Sequence, residues 1–162
     1  MTWRITSPVV GYQRIDETST TKKHPIGTIV QAHDVDTYNT GEFIYLQGIG
    51  STVVGSWVTY NVTPGTTALI APNAIGPVAV AMSANVANQY GWYQISGHAI
   101  AKAADVADSG KVYIDTAAGT CDDAAVVGDR VNNAKWTGAD DTSGYATVYL
   151  ARPFVTDQKD AT

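Results

Sequence analysis

The sequence predicts an all-β domain, a single small antiparallel β-barrel or β-sandwich with an extended N-terminal arm. Three observations carry that expectation. Runs of β-favouring residues recur roughly every ten residues, clusters of Gly and Pro separate them, and no segment sustains the apolar stripe of a long helix. The repeated strand texture has no fixed period, so a propeller or solenoid is not expected.

Residues 1–24, MTWRITSPVVGYQRIDETSTTKKH, differ in character from residues 25–162. Arg4, Arg14, Lys22 and Lys23 outnumber Asp16 and Glu17, so the segment is basic while the rest of the chain is acidic. Trp3, Ile5, Val9, Val10, Tyr12 and Ile15 follow neither helical nor strand periodicity, and Pro8 and Gly11 interrupt regular structure. A solvated tail gains nothing by exposing such groups, so this arm is expected to lie against a partner surface.

The domain is expected over residues 25–155. Ile26 to Ala32 reads as its first strand, and the turn-rich Asp34 to Gly41 leads to Glu42 to Gln47 at hairpin distance. Ser56 to Val62 alternates Trp57, Thr59 and Asn61 with Val58, Tyr60 and Val62, Thr63-Pro64-Gly65 is a turn, and Thr67 to Ile70 has strand character. The central stretch, Gly76 to Lys102, reads as a hairpin. Val78, Val80 and Met82 alternate with Ala79, Ala81 and Ser83 in its first half. In its second half Tyr93, Ile95, Gly97, Ala99 and Ala101 share one face, and Trp92, Gln94, Ser96 and His98 share a more polar one. Two strands bury too little surface to stand alone, so this hairpin needs further strands. Ala103 to Ala107 has the length of one helical turn; Lys111 to Asp115, Asp129 to Val131 and Tyr145 to Ala151 read as strands, and Asn133 to Gly144 as a loop. Residues 156–162 are polar and are expected to form a flexible tail.

Composition narrows the function classes. Charged residues make up 15% of the chain, well below the usual quarter, and the formal net charge is −5. An acidic balance argues against nucleic-acid binding by phosphate neutralisation. The one cysteine, Cys121, cannot form an internal disulfide, which points to a reducing compartment. Met1 to Val10 lacks a signal-peptide apolar run, and Gly, Pro or polar residues break every apolar run before membrane-spanning length. Between Lys23 and Lys102 there is no Lys or Arg, and the acidic residues are Asp34, Asp36 and Glu42 alone. Surfaces in water usually carry mixed charge, so part of this stretch is expected to face another subunit.

A search for chemistry finds no assembled motif. Cys121 stands beside Asp122 and Asp123, whose charge raises a thiol pKa. Ser96-Gly97-His98 has no third member of a triad, His24, His33 and His98 share no ligand spacing, and Asp34-x-Asp36 lacks the Gly and Glu of a calcium loop. Asp122-Asp123 and Asp140-Asp141 read as solvated turn residues, and Glu42 has no visible partner for glycosidase chemistry. Gly48-x-Gly50 is not followed by a phosphate loop's Lys. Trp57, Tyr90, Trp92 and Tyr93 are the side chains that could stack a sugar.

The runs IGTIVQAHD and GEFIYLQGIGSTVVGSWVTYN, then PVAVAMSANVANQYGWYQISGHAIAKAA, GKVYIDTAAGTCDDAAVVGDRV and YATVYLARPFV, resemble the small capsid decoration (cement) proteins of tailed bacteriophages. The likeness covers roughly Pro25 to Val155, and its most specific pieces are GEFIYL, YGWYQ-x-x-G and the end of the last strand at Arg152-Pro153-Phe154. It implies a β-rich structural virion protein, often a homotrimer, that is assembled in the host cytoplasm. Such a protein sits on the capsid exterior and reinforces contacts between major capsid protein subunits. It also implies no enzymatic activity and no cofactor. Trp3, Arg4, Tyr12, Arg14 and Trp92 are the candidate interface residues, since aromatic side chains and Arg dominate interface energetics. The alternative is a carbohydrate-binding β module of a phage tail or host-recognition apparatus.

Overall fold

The computed structural model describes residues 2–7 and 12–157, which contain eleven strands and no helix. In chain order these are β1 (Trp3–Ile5), β2 (Ile29–Asp34), β3 (Thr40–Gln47), β4 (Trp57–Asn61), β5 (Thr66–Leu69) and β6 (Gly76–Ala81). They continue with β7 (Tyr90–Lys102), β8 (Lys111–Ile114), β9 (Cys121–Asp122), β10 (Arg130–Trp136) and β11 (Tyr145–Val155). All belong to one mixed sheet. Its strand pairings are antiparallel except between β3 and β5, which meet in parallel at Gln47 and Thr66, so the expected purely antiparallel arrangement fails at that point.

Two circuits of pairing organise the sheet. β3, β5, β4, β6 and β7 are bonded in succession, and β7 returns to β3. Each of the five contributes to one apolar cluster: Ile44 and Leu46 from β3, Val58 from β4, Ala79 and Ala81 from β6, Tyr93 and Ile95 from β7, with Leu69 of β5 packed against it. The second circuit runs β7, β11, β10, β8, β9 and closes where Cys121 bridges Ala103, just beyond β7. Its larger cluster includes Trp57, Val78, Val80, Ala99, Ala101, Val131, Trp136 and Val148. Period-two alternation explains how β6 serves both, with Val78 and Val80 on one side and Ala79 and Ala81 on the other. Trp57 and Trp136 meet edge to face with ring centroids 5.7 Å apart. Their buried indoles are also satisfied: Trp57 Nε1 donates to the Lys102 carbonyl at 3.0 Å and Trp136 Nε1 to that of Asp122 at 2.8 Å.

The central stretch departs from a simple hairpin. β6 and β7 pair only at Val80 with Gln94 and Ala81 with Tyr93, because β7 spends most of its length between β3 and β11. The single face expected for Tyr93 through Ala101 is divided, with Tyr93 and Ile95 in the first cluster and Ala99 and Ala101 in the second. A bulge and a bend lie between them. The register against β3 shifts at Ile95, which has no opposite residue, and Gly97 adopts φ +95°. A Cβ on Gly97 would stand 2.3 Å from the Thr40 carbonyl oxygen. On the more polar face Trp92 and Gln94 are fully buried, while Ser96 and His98 are half-buried.

The described part of the N-terminal segment covers that face. Trp3–Ile5 adds as β1 to β2, and Ile15 is buried with Val30, Ala32, Phe43, Tyr45 and Trp92 in a third cluster that Trp3 and Ile5 flank. The partner surface inferred for the arm is therefore, for these residues, the chain's own sheet. The segment is extended at Trp3–Ile5, as expected for an arm. The expectation for Val9 and Val10 lies outside the described residues, as does most of the tail expected over 156–162.

Other differences have local causes. Ala103 to Ala107 forms no helical turn, since Ala103 and Ala104 bond to Gly144 and Cys121. β10 runs to Trp136 through residues expected in a loop; its register against β11 shifts where Asn133, φ +59°, faces Ala151 to Pro153, with Arg152 at φ +53°, and Trp136 beyond the shift is buried in the core. β1 and β9 are too short to announce themselves by periodicity. Gly97→Ala is expected to lower stability by about 2 kcal/mol or more, from left-handed backbone strain and the clash with Thr40. Gly50→Ala, which meets nothing within 4 Å, is expected to stay within about 0.5 kcal/mol, both read by chemical denaturation.

Candidate interface groove

The five residues singled out by sequence occupy different environments. Trp3 is half-buried, its ring edge-on to Phe43 with centroids 5.0 Å apart. Arg4 is exposed on β1 opposite His33, and Tyr12 is exposed. Arg14 is exposed but engaged, its Nε and Nη2 donating to the two Asp16 carboxylate oxygens at 3.1 and 2.9 Å, with Glu17 at 3.8 Å. In water such a pair contributes at most about 1 kcal/mol. Trp92 is fully buried and its Nε1 donates to the Gln13 carbonyl at 2.9 Å, so it serves the core and is corrected as an interface residue.

Trp3 and Arg14 come together along a groove of about 540 Å³. The N-terminal segment supplies one wall through Trp3, Arg14, Ile15 and Asp16. Val54, Met82, Ile100 and Tyr145 supply an apolar opposite wall, and Asp141 and Ser143 a polar end. The loop bearing Val54 is held across two strands: the Gly55 amide donates to the Ala81 carbonyl at 2.8 Å and its carbonyl accepts from the Lys102 amide at 2.9 Å. The Asp141 turn is hydrogen-bonded as well, with Oδ1 accepting from the amides of Ser143 and Tyr145 at 2.8 and 3.0 Å. Val54 and Ile100 remain 53% and 46% exposed, an apolar lip without a covering side chain among the described residues. Sequence reasoning missed these two because their neighbours look like ordinary strand and turn residues. The signal that covered them was the absence of Lys and Arg between Lys23 and Lys102.

At the sheet margin Asp34 fixes the start of β1. Its Oδ1 accepts from the Thr2 amide at 2.7 Å and the Asp36 amide at 3.2 Å, and its Oδ2 accepts from Thr37 Oγ1 at 2.6 Å. Burial pushes this carboxyl's pKa up, but the bonds to Thr37, Thr2 and Asp36 together hold it below the usual aspartate value.

Residues weighed for chemistry sit apart. Gly97 interrupts the alternation between Ser96 and His98, whose carbonyls both accept from Gln94 Nε2, and His98 packs edge-on against Tyr149 at 5.3 Å. Glu42 is bound by Arg152, Nε and Nη2 donating at 3.1 and 3.2 Å. Burial is the leading cause pushing the Cys121 thiol pKa well up, with Asp122 and Asp115 adding to it. No group of three potential metal ligands occurs among the described residues. Of the sugar-stacking candidates, Trp57, Trp92 and Tyr93 are fully buried.

Trp92→Ala is expected to cost about 3–5 kcal/mol in denaturation while Tyr12→Ala stays within about 0.5 kcal/mol. Asp34→Ala is expected to cost about 2 kcal/mol at pH 7. Because the folded pKa is lowered, that stabilisation is present above the unfolded value near pH 4 and is lost as pH falls through the folded one. The gap between Asp34→Ala and the unaltered protein should therefore narrow in denaturation series below pH 4.

Comparison with protein-family models, with curated proteins and with solved structures finds no match to this chain.

Proposed function

We propose that this protein is a capsid decoration protein. It binds the outer surface of a tailed-phage shell, most simply as a homotrimer, and reinforces contacts between major capsid protein subunits. In the finer fold that accompanies this reading, the five-strand circuit is a small closed barrel. The observation that carries the proposal is the apolar lip of Val54 and Ile100 on this groove, within a stretch bare of Lys and Arg. A flat shell protein offers large surfaces, and side chains such as these gain most when a partner removes them from water. Many copies that bind only the mature shell stabilise it by mass action, even where each contact is weak.

Trp3 and Arg14 retain a place in the reading as the groove's other wall. Arg4 and Tyr12 are exposed but do not line the groove. The carbohydrate-module alternative has less support, because three of the rings that would stack a sugar are buried in the core.

Cosedimentation with purified mature shells tests the proposal. The unaltered protein is expected to pellet with shells at saturable occupancy and to raise their heat resistance. Val54→Asp with Ile100→Asp is expected to reduce occupancy at least about tenfold, since each buries an unpaired carboxylate at the contact, with little change in the free protein's melting temperature. Absence of shell binding by the unaltered protein rejects the function; equal binding by the double variant rejects the groove.

A further inference from the structure

The N-terminal segment is held on the sheet by β1, by a backbone bridge from Ser19 to Tyr90 and by the Lys23 amide on the Tyr45 hydroxyl, and between these Gln13, almost fully buried, makes five hydrogen bonds. Its side-chain Nε2 donates to the carbonyls of Glu17 at 2.7 Å and Tyr90 at 2.9 Å, and its Oε1 accepts from the Tyr45 hydroxyl at 2.8 Å. Its carbonyl accepts from Trp92 Nε1 at 2.9 Å. The fifth bond is of another kind: the Gln13 amide donates to Nε2 of His24 at 3.0 Å. An imidazole nitrogen accepts only when it carries no proton, so this bond requires neutral His24 with its hydrogen on Nδ1.

The surroundings favour that state. His24 is 6% exposed, its ring 5.1 Å from Tyr45 edge-on and 5.2 Å from Trp92. The groups facing it are Gln13 from the N-terminal segment, Tyr45 from β3 and Trp92 from β7. Neighbouring charges on its own segment are Arg14, Asp16, Glu17, Lys22 and Lys23; Arg14 is engaged by the two carboxylates. No carboxylate lies within salt-bridge distance of the imidazole among the described residues. A proton on Nε2 would set two N–H groups against each other in a dry site and leave the Gln13 amide without an acceptor.

We propose that His24 and Gln13 form a proton-operated latch: neutral His24 holds Gln13 and Ile15 on the aromatic face of β3 and β7, and protonation of His24 releases them. Release loosens the packing over Tyr45 and Trp92, which share a cluster with Ile15. The direction in pH follows from burial, which lowers the imidazole pKa from its ordinary 6.5. A depressed pKa means the latch stabilises fully above about pH 6.5, and that contribution is lost as pH falls from there through the folded value. Asp34 titrates in a lower window, so the two fastenings are separable.

The latch belongs to the isolated chain, and its test is independent of shell binding. Nitrogen-detected NMR of the full chain at pH 7.5 is expected to show unprotonated Nε2 on His24 and a midpoint below 6.5. An Nε2–H tautomer, or a midpoint above 6.5, overturns the proposal. Amide exchange, corrected for intrinsic rates, is expected to show Gln13 losing protection about tenfold or more between pH 7 and pH 5, the equivalent of one lost hydrogen bond, while β6 and β11 hold theirs. In His24→Gln, whose side-chain oxygen accepts without titrating, that pH step should vanish. His33, opposite Arg4 on β1, is the nearby alternative sensor, and in His33→Gln the step should remain. Persistence of the step in His24→Gln, or its loss in His33→Gln, overturns the assignment; if His24→Gln fails to fold, the tautomer and midpoint decide alone.

Discussion

β7 must satisfy three apolar clusters at once, and the rest of the structure depends on how it does so. Near its start Trp92 points into the cluster under the N-terminal segment, while Tyr93 and Ile95 fill the five-strand circuit and Ala99 and Ala101 the larger second one. A regular strand has only two faces, so three clusters demand a break in the pattern. The bulge at Ile95 and the left-handed turn of Gly97 provide it, at the point where Thr40 comes too close for any side chain. β3, β6 and β11 take their places along the bent strand, and the remaining strands follow from those three.

This explains what the sequence disclosed and what it withheld. Strand existence was legible wherever β-favouring residues alternate over several positions, as in Glu42 to Gln47, Trp57 to Asn61 and Tyr145 to Ala151. The hairpin of β2 and β3 followed from turn residues between two such runs. Pairing between distant strands was not legible, because alternation identifies faces and leaves partners open; Gly76 to Lys102 consequently looked like a hairpin when it is a corner with two pairs. The choice of one face for Tyr93 through Ala101 failed because a bulge adds a residue without a sequence mark of its own.

The N-terminal segment shows the same limit for function. Its load of Trp, Tyr and aliphatic residues implied a surface to lie on, which Trp3, Ile5 and Ile15 have and the exposed Tyr12 has not, but composition cannot distinguish a surface on the same chain from one on another. Ile15 and Trp3 lie on the former. Of the sites proposed from residue type, Trp92 was least legible, since aromatic side chains favour interfaces and cores alike and only burial separates them. The apolar lip at Val54 and Ile100 needed the fold, which joins residues far apart in sequence, although the lack of Lys and Arg around them had marked the region.

The closing of both circuits has a consequence for behaviour at high concentration. Among the described strands β1 alone is bonded to a single neighbour, since β9 is tied back by the bridge from Cys121 to Ala103. Sheet proteins usually expose two long margins on which a foreign strand can grow, the common route into fibrils. Here the one strand with a single neighbour is three residues long, at Trp3–Ile5. Among the described residues, the end of the sheet therefore offers a foreign strand a short template, which disfavours growth of a continuous sheet from that end.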